Sequence, residues 1–299
     1  MQSRRLGFVA SWNMLTGERG WYKPIVVLAL LSWVPFLGAI ALLGYAYEWA
    51  RLAAWGVDCA PRRSGIDYGK LLKTGGWAFL ILVTMVIVAS VITSILFGVD
   101  WDLFMPLDFG FVAPWHIGGW GSLFRIVFTP RVLVGMVCQV FIGAFIIAAM
   151  LRGTIYDGFA AGWRLDRLAQ MVVCDPGGFM RLVGASAIGC AAGLMYSWAS
   201  AAVMGAIASV GISYFEFYDG ALYFVFNSEH LLRHLFTLSP TNALGGFLLS
   251  TAFSFIGSAL SVAMQLVATH AAGMWFRRFD VGRWGLSSDP LPDGVPHEV

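Results

Sequence analysis

Five apolar runs, each long enough to cross a bilayer, decide what this chain can fold into. They are Ile25–Tyr47, Gly76–Phe97, Val132–Leu151, Leu182–Ile212 and Leu244–Phe276. A hydrocarbon core of about 30 Å needs about 20 apolar residues as helix. The last two runs are long enough to tilt or to project beyond the core. Only 12% of the residues are charged, against about 25% in soluble domains. The expected fold is therefore an all-α, polytopic membrane bundle. Residues 25–276 form its membrane domain, residues 1–24 an amphipathic cytoplasmic segment, and residues 277–299 a disordered cytoplasmic tail. No basic run with interleaved aromatics points to nucleic acid.

Lys and Arg set the expected orientation, because they concentrate on the cytoplasmic side. The N-terminal segment holds Arg4, Arg5, Arg19 and Lys23, and the first connection holds Arg51, Arg62, Arg63, Lys70 and Lys73. The second connection holds Arg125 and Arg131. The third holds Arg152, Arg164, Arg167 and Arg181, and the fourth only Arg233. Arg277, Arg278 and Arg283 lie in the tail. If all five runs cross, the best split is twelve inside against seven outside, with the N-terminus outside. If the first run folds back, the split becomes sixteen against three.

Pro35, at the centre of the first run, gives it a reason to fold back. Proline removes a helix hydrogen bond and clashes with the preceding turn, and Gly38 relaxes the backbone beyond it. The expectation is four full spans preceded by a re-entrant hairpin. The alternative is a Pro-kinked span.

The two outer segments resemble each other. Gly98–Pro130 and Tyr214–Pro240 are both acidic and aromatic, as suits the outer headgroup zone. One ends in Thr129-Pro130 and the other in Ser239-Pro240, cap-plus-proline signals for a helix start. With the offset of Tyr47 from Tyr156, these read as a degenerate duplication of about 110 residues. That duplication matches the first run to the third, which favours a crossing.

On the inner side, Tyr156–Val173 reads as an amphipathic helix. Trp163, Leu168, Met171 and Val172 share one face, with Arg164, Arg167 and Gln170 toward another. Glu48–Trp55 reads similarly, with Glu48 and Arg51 able to pair at i,i+3. Asp175 followed by Pro176 starts the fourth run. Arg51, Arg62, Arg63, Lys70, Lys73, Arg164 and Arg167 are the candidates for meeting lipid headgroups or a partner.

Gly44-Tyr45, Glu48-Trp49-Ala50-Arg51 and Gly56, with Tyr156, Ala161-Gly162 and Asp175–Gly178, carry a resemblance. Over roughly Gly20 to His270 the chain resembles the bacterial membrane family catalogued as domain of unknown function 4013 (DUF4013). The resemblance implies a multi-spanning bacterial membrane protein and brings no activity or catalytic residue. Where family members carry an acidic Leu-Pro-Glu stretch, this chain has Ala60-Pro61-Arg62-Arg63.

Small residues recur every fourth position in the fourth run: Ala185, Gly189, Gly193, Ser197, Ala201, Gly205 and Ser209. Gly246, Ser250, Ser254 and Ser258 do the same in the fifth. Such rows let helix backbones approach closely, so these two runs are expected to pack together. The other reading of the rows is a wall beside a solute path.

Intramembrane polar residues are functional suspects. Gln139, Gln265 and His270 are the candidates, with interhelical hydrogen bonding as their simplest role. His116, Glu229, His230 and His234 could form a metal group on the outer side. The pattern is not HExxH, and no metal or other cofactor is expected. Cys59, Cys138, Cys174 and Cys190 have neither CxxC nor zinc spacing.

The favoured function is a non-enzymatic inner-membrane scaffold or accessory subunit that binds lipid, a protein partner or a second copy of itself. A permease-like transporter of a small apolar or zwitterionic solute is the alternative, and a membrane enzyme acting on lipid comes third.

Overall fold

The structure is a computed structural model that describes residues 7–97, 126–128, 130–207, 213–218, 221–226 and 240–279. Its helices in chain order are α1 (Phe8–Thr16), α2 (Tyr22–Leu31), α3 (Leu37–Ala54), α4 (Tyr68–Phe97), α5 (Pro130–Ile155), α6 (Phe159–Gly162), α7 (Leu165–Cys174), α8 (Pro176–Ile207) and α9 (Pro240–Phe276). Among the described residues, three segments are long and apolar enough to cross a membrane: Tyr68–Ala89, Pro176–Ser197 and Thr251–Phe276. Val140–Ile155 is a shorter apolar stretch of α5. Large apolar side chains stay exposed along them, among them Leu80, Ile87 and Ile95 on α4 and Met195 on α8. A chain folding in water would bury such a series; in lipid it is the expected outer surface. The chain is a helical membrane protein.

The first apolar run is not one helix. It breaks over Ser32–Phe36, and Phe36 takes a positive φ of 59°. The ten residues of α2 rise about 15 Å, half the thickness of a bilayer core. Beyond the break, α2 and α3 pack on each other. Ile25, Leu28 and Ala29 of α2 share a core cluster with Ala41, Leu42 and Tyr45 of α3. Gly38 lies against the Leu31 carbonyl, where a Cβ would collide with α2 backbone. Glu18, before α2, pairs with Arg63, after α3, at 2.9 Å. At the bend, Trp33 donates from Nε1 to Ser258 on α9 at 3.4 Å.

α3 is the hub of the bundle and packs on α4, α5 and α9. Tyr47 donates to the Ile147 carbonyl of α5 at 3.3 Å. Gly273 of α9 lies against the Ala50 carbonyl. α8 and α9 lie together, with Tyr196 donating to the Phe253 carbonyl at 2.5 Å. α4 begins at Tyr68, earlier than the apolar run at Gly76, because Asp67 Oδ1 accepts from the amides of Gly69 and Lys70. α8 starts in the same way, with Asp175 accepting from Gly178 N at 3.0 Å.

To this helical plan the structure adds a small antiparallel sheet built from both outer segments. Its strands are β1 (Ile126–Phe128), β2 (Ser213–Tyr218) and β3 (Ala221–Phe226), in the order β1-β3-β2. The acidic, aromatic composition of these outer segments suits the headgroup zone, and the structure gives part of each strand form. The aromatic-rich sequences on either side of Asp219-Gly220 have strand propensity, and Asp-Gly between two such stretches is a hairpin signal.

Candidate polar site at the charged end of the bundle

Four segments distant in sequence meet at one end of the molecule. Arg63 ties the first connection to the N-terminal segment through Glu18 and the Arg19 carbonyl. Lys73 of α4 pairs with Asp157, in the turn after α5. Arg277 reaches Asp58 at 3.1 Å, and Arg278 reaches Asp175 at 2.6 Å. The N-terminal segment, the first and third connections and the tail are thus joined by ion pairs. Each exposed pair contributes about 0–1 kcal/mol, so their value is to fix which segments share an end.

Within this end, α3 carries charge into the bundle. Arg51 is 2% exposed and donates to Glu48 Oε1 at 2.8 Å; Thr74 of α4 donates to the same oxygen at 2.6 Å. The i,i+3 spacing made this pair legible. Its burial was not, since the stretch reads as an amphipathic exit from the membrane. Arg152, also 2% exposed, lies over the Tyr156 ring at 4.8 Å.

A cavity of about 90 Å³ opens between α3, the strap of residues 59–67 and the first turn of α4. Tyr45, Glu48 and Trp49 line it from α3, Arg62 and Asp67 from the strap, and Lys70 from α4. The strap is held on by two hydrogen bonds from α3. Tyr45 OH donates to the Arg62 carbonyl at 2.6 Å, and Trp49 Nε1 donates to the Cys59 carbonyl at 2.8 Å. Partial burial pushes the Cys59 thiol up, with Arg62 opposing the rise and Asp58 and Glu18 adding to it. Tyr68, beside the cavity, is 71% exposed, and Tyr22 is exposed where α2 begins.

Two further candidates lie on α9. His270, 1% exposed, stacks on Trp49 at 4.2 Å, and its Nδ1 lies 3.0 Å from Ser11 Oγ of α1. Gln265 is buried on the same helix, and its Oε1 has no hydrogen-bond partner among the described residues. The remaining expectations scatter. Leu168 and Met171 of α7 are buried, whereas Arg164 is exposed and Arg167 Nη1 reaches Gln170. Ala185, Gly189 and Ser197 of α8 and Ser258 of α9 are buried, while Gly193 has nothing within reach of an added Cβ. The side chains of Gln139, Ala201, Gly205, Gly246 and Ser250 lie outside the described set, as do His116, Ser209, Glu229, His230 and His234. No group of metal-binding side chains occurs among the described residues.

The family model described as "Protein of unknown function (DUF4013)" matches residues 27–210, more than half of the chain, and the chain belongs to that family. Neither the search of curated proteins nor that of solved structures returned a match.

Proposed function

We propose that this member of the family is a bacterial inner-membrane scaffold or accessory subunit, whose charged end faces the cytoplasm and engages anionic membrane lipid. Four helices, α4, α5, α8 and α9, cross the bilayer. The α2–α3 hairpin enters from the cytoplasmic side and returns, leaving both termini inside. The observation that carries this reading is the convergence of the basic segments on one end. Lys and Arg mark the cytoplasmic side, and the inner leaflet attracts such charge by about 1 kcal/mol per residue near the surface. On this reading α7 lies in the inner headgroup layer. The small-residue rows of α8 and α9 serve close packing, and the two halves descend from a duplication.

The test is purification from native membranes with lipids retained. Co-purifying lipid should be enriched in anionic species over the bulk membrane. Lipid of bulk composition, with no protein partner recovered, would overturn the reading. The transporter alternative is favoured by Gln265, whose buried amide oxygen could serve a passing solute. Solute uptake into proteoliposomes that Gln265→Leu abolishes would establish it instead.

A further inference from the structure

We infer that an outward apolar row on α7 contacts the acyl chains of inner-leaflet lipid, so that α7 slopes from the headgroup layer into the hydrocarbon beside it. This rests on the lipid-binding reading above and names which side chains meet the membrane and which part of the lipid covers them. Around α7 the side chains sort into three arcs. Leu168 and Met171 are buried against the bundle, in one cluster with Phe179 and Trp275. Asp166, Arg167 and Gln170 form a polar arc, in which Asp166 lies 3.7 Å from Arg167 and Arg167 donates to Gln170 at 3.1 Å. Leu165, Ala169 and Val173 recur every fourth position and so form a third arc. Leu165 is 42% exposed and Val173 is 79% exposed, and Ala169 is exposed too. A helix that only capped the bundle in water would need one apolar stripe, the one that Leu168 and Met171 supply. The second apolar row, beside a polar arc, is what an interfacial helix presents to a bilayer.

Position identifies what covers this row. At the head of α7, Trp163 Nε1 donates to Thr84 of α4 at 3.2 Å, and Gly162 lies against the Ile81 side chain. Thr84 is about 12 Å along α4 from Gly76, where its apolar run begins. At the tail of α7, Asp175 follows Cys174 and pairs with Arg278 at 2.6 Å, at the charged end of the bundle. The head of α7 is therefore anchored beside the membrane-crossing part of α4, and its tail reaches the charged end. Only Asp175 separates α7 from α8, whose exposed Met180, Ile188 and Met195 belong to the lipid-facing surface. The row on α7 continues that surface toward the charged end.

The experiment uses the full chain with its four native cysteines replaced by alanine, and introduces Leu165→Cys, Ala169→Cys, Val173→Cys or Gln170→Cys one at a time. Each variant is labelled with bimane and reconstituted into vesicles of phosphatidylglycerol and phosphatidylcholine. Two quenchers are read: bromine on the acyl chains, at a shallow or a deep carbon, and iodide in the water on both sides. Labels in place of Leu165, Ala169 and Val173 should lose fluorescence to bromine and little to iodide. Deep bromine should act more strongly in place of Leu165, and shallow bromine in place of Val173. The label in place of Gln170 should respond to iodide instead. All four side chains are exposed, so the variants should keep the fold, which a monodisperse elution peak checks. A row quenched by iodide as strongly as the Gln170 position faces water and overturns the inference. A row quenched by neither is covered by protein, which also overturns it and points to a second copy. The lipid-binding function stands in either case if purified protein still carries anionic lipid above the bulk proportion. Lipid of bulk composition removes that function and leaves the contact of the row with acyl chains to be decided by bromine alone.

Discussion

Gly44 of α3 and Gly75 of α4 face each other across a helix crossing, each lying against the other helix's main chain. A Cβ on Gly44 would fall on the Leu71 carbonyl, and one on Gly75 on the Ile40 carbonyl. Backbones this close gain dispersion and Cα–H···O contacts that larger residues forbid. The crossing also sets the distance between α3 and the first turns of α4, and with it the walls of the cavity.

Gly75→Val should therefore push the two helices apart and cost about 1–3 kcal/mol. The measurement is the temperature at which the detergent-solubilised protein loses its monodisperse elution peak. Gly76→Ala is the control, because nothing lies within reach of its Cβ, and it should leave that temperature unchanged.

The buried ion pair makes a second prediction. Glu48→Ala withdraws the carboxylate to which Arg51 and Thr74 donate, at a cost of about 2–3 kcal/mol. Adding Arg51→Leu should recover much of the loss, since no buried cation then needs that carboxylate. A double variant less stable than Glu48→Ala would mean that Arg51 is held chiefly by other groups.

Docking of α1 is tested by Ser11→Ala. The Ser11 hydroxyl is the polar tie between α1 and His270, and its removal leaves a buried ring nitrogen short of a partner, costing about 1–3 kcal/mol. Limited proteolysis should then release the N-terminal segment sooner, while the bundle stays intact.

Thiol chemistry reports on the strap. Thiolate is the reactive form, so a raised pKa makes Cys59 slow at neutral pH, and its alkylation should climb as pH rises above the ordinary thiol range. Cys174, which is exposed, should react first at neutral pH. Arg62→Ala removes the cation that opposes the shift and should slow Cys59 further. Equal rates for the two cysteines across pH would contradict this.

The sequence made much of the scaffold legible. Apolar length located α4, α5, α8 and α9, and Pro35 located the break between α2 and α3. Charge counting favoured the grouping of segments that the ion pairs of Arg63, Lys73, Arg277 and Arg278 join. What escaped had physical reasons. Small-residue rows mark the fourth and fifth runs as close-packing helices, whereas Gly44 and Gly75 belong to no such four-residue row. The cavity was hidden because it needs the strap folded back on Tyr45 and Trp49, a contact no periodicity encodes. The sheet did leave a signal in Asp219-Gly220 between aromatic stretches. Aromatic residues also suit a membrane-interface belt, so their composition alone does not single out strands.

The hairpin is the claim on which the orientation and the placement of the cavity both depend. Its most direct test is labelling with a membrane-impermeant maleimide in intact spheroplasts, in a background lacking the four native cysteines. Cysteines replacing Ser3 and Ser64 should both stay unlabelled until the membrane is permeabilised, while one replacing Ser213 in β2 should react at once. Labelling at Ser3 from outside, with Ser64 still protected, would mean that the first run crosses the bilayer and would contradict the account.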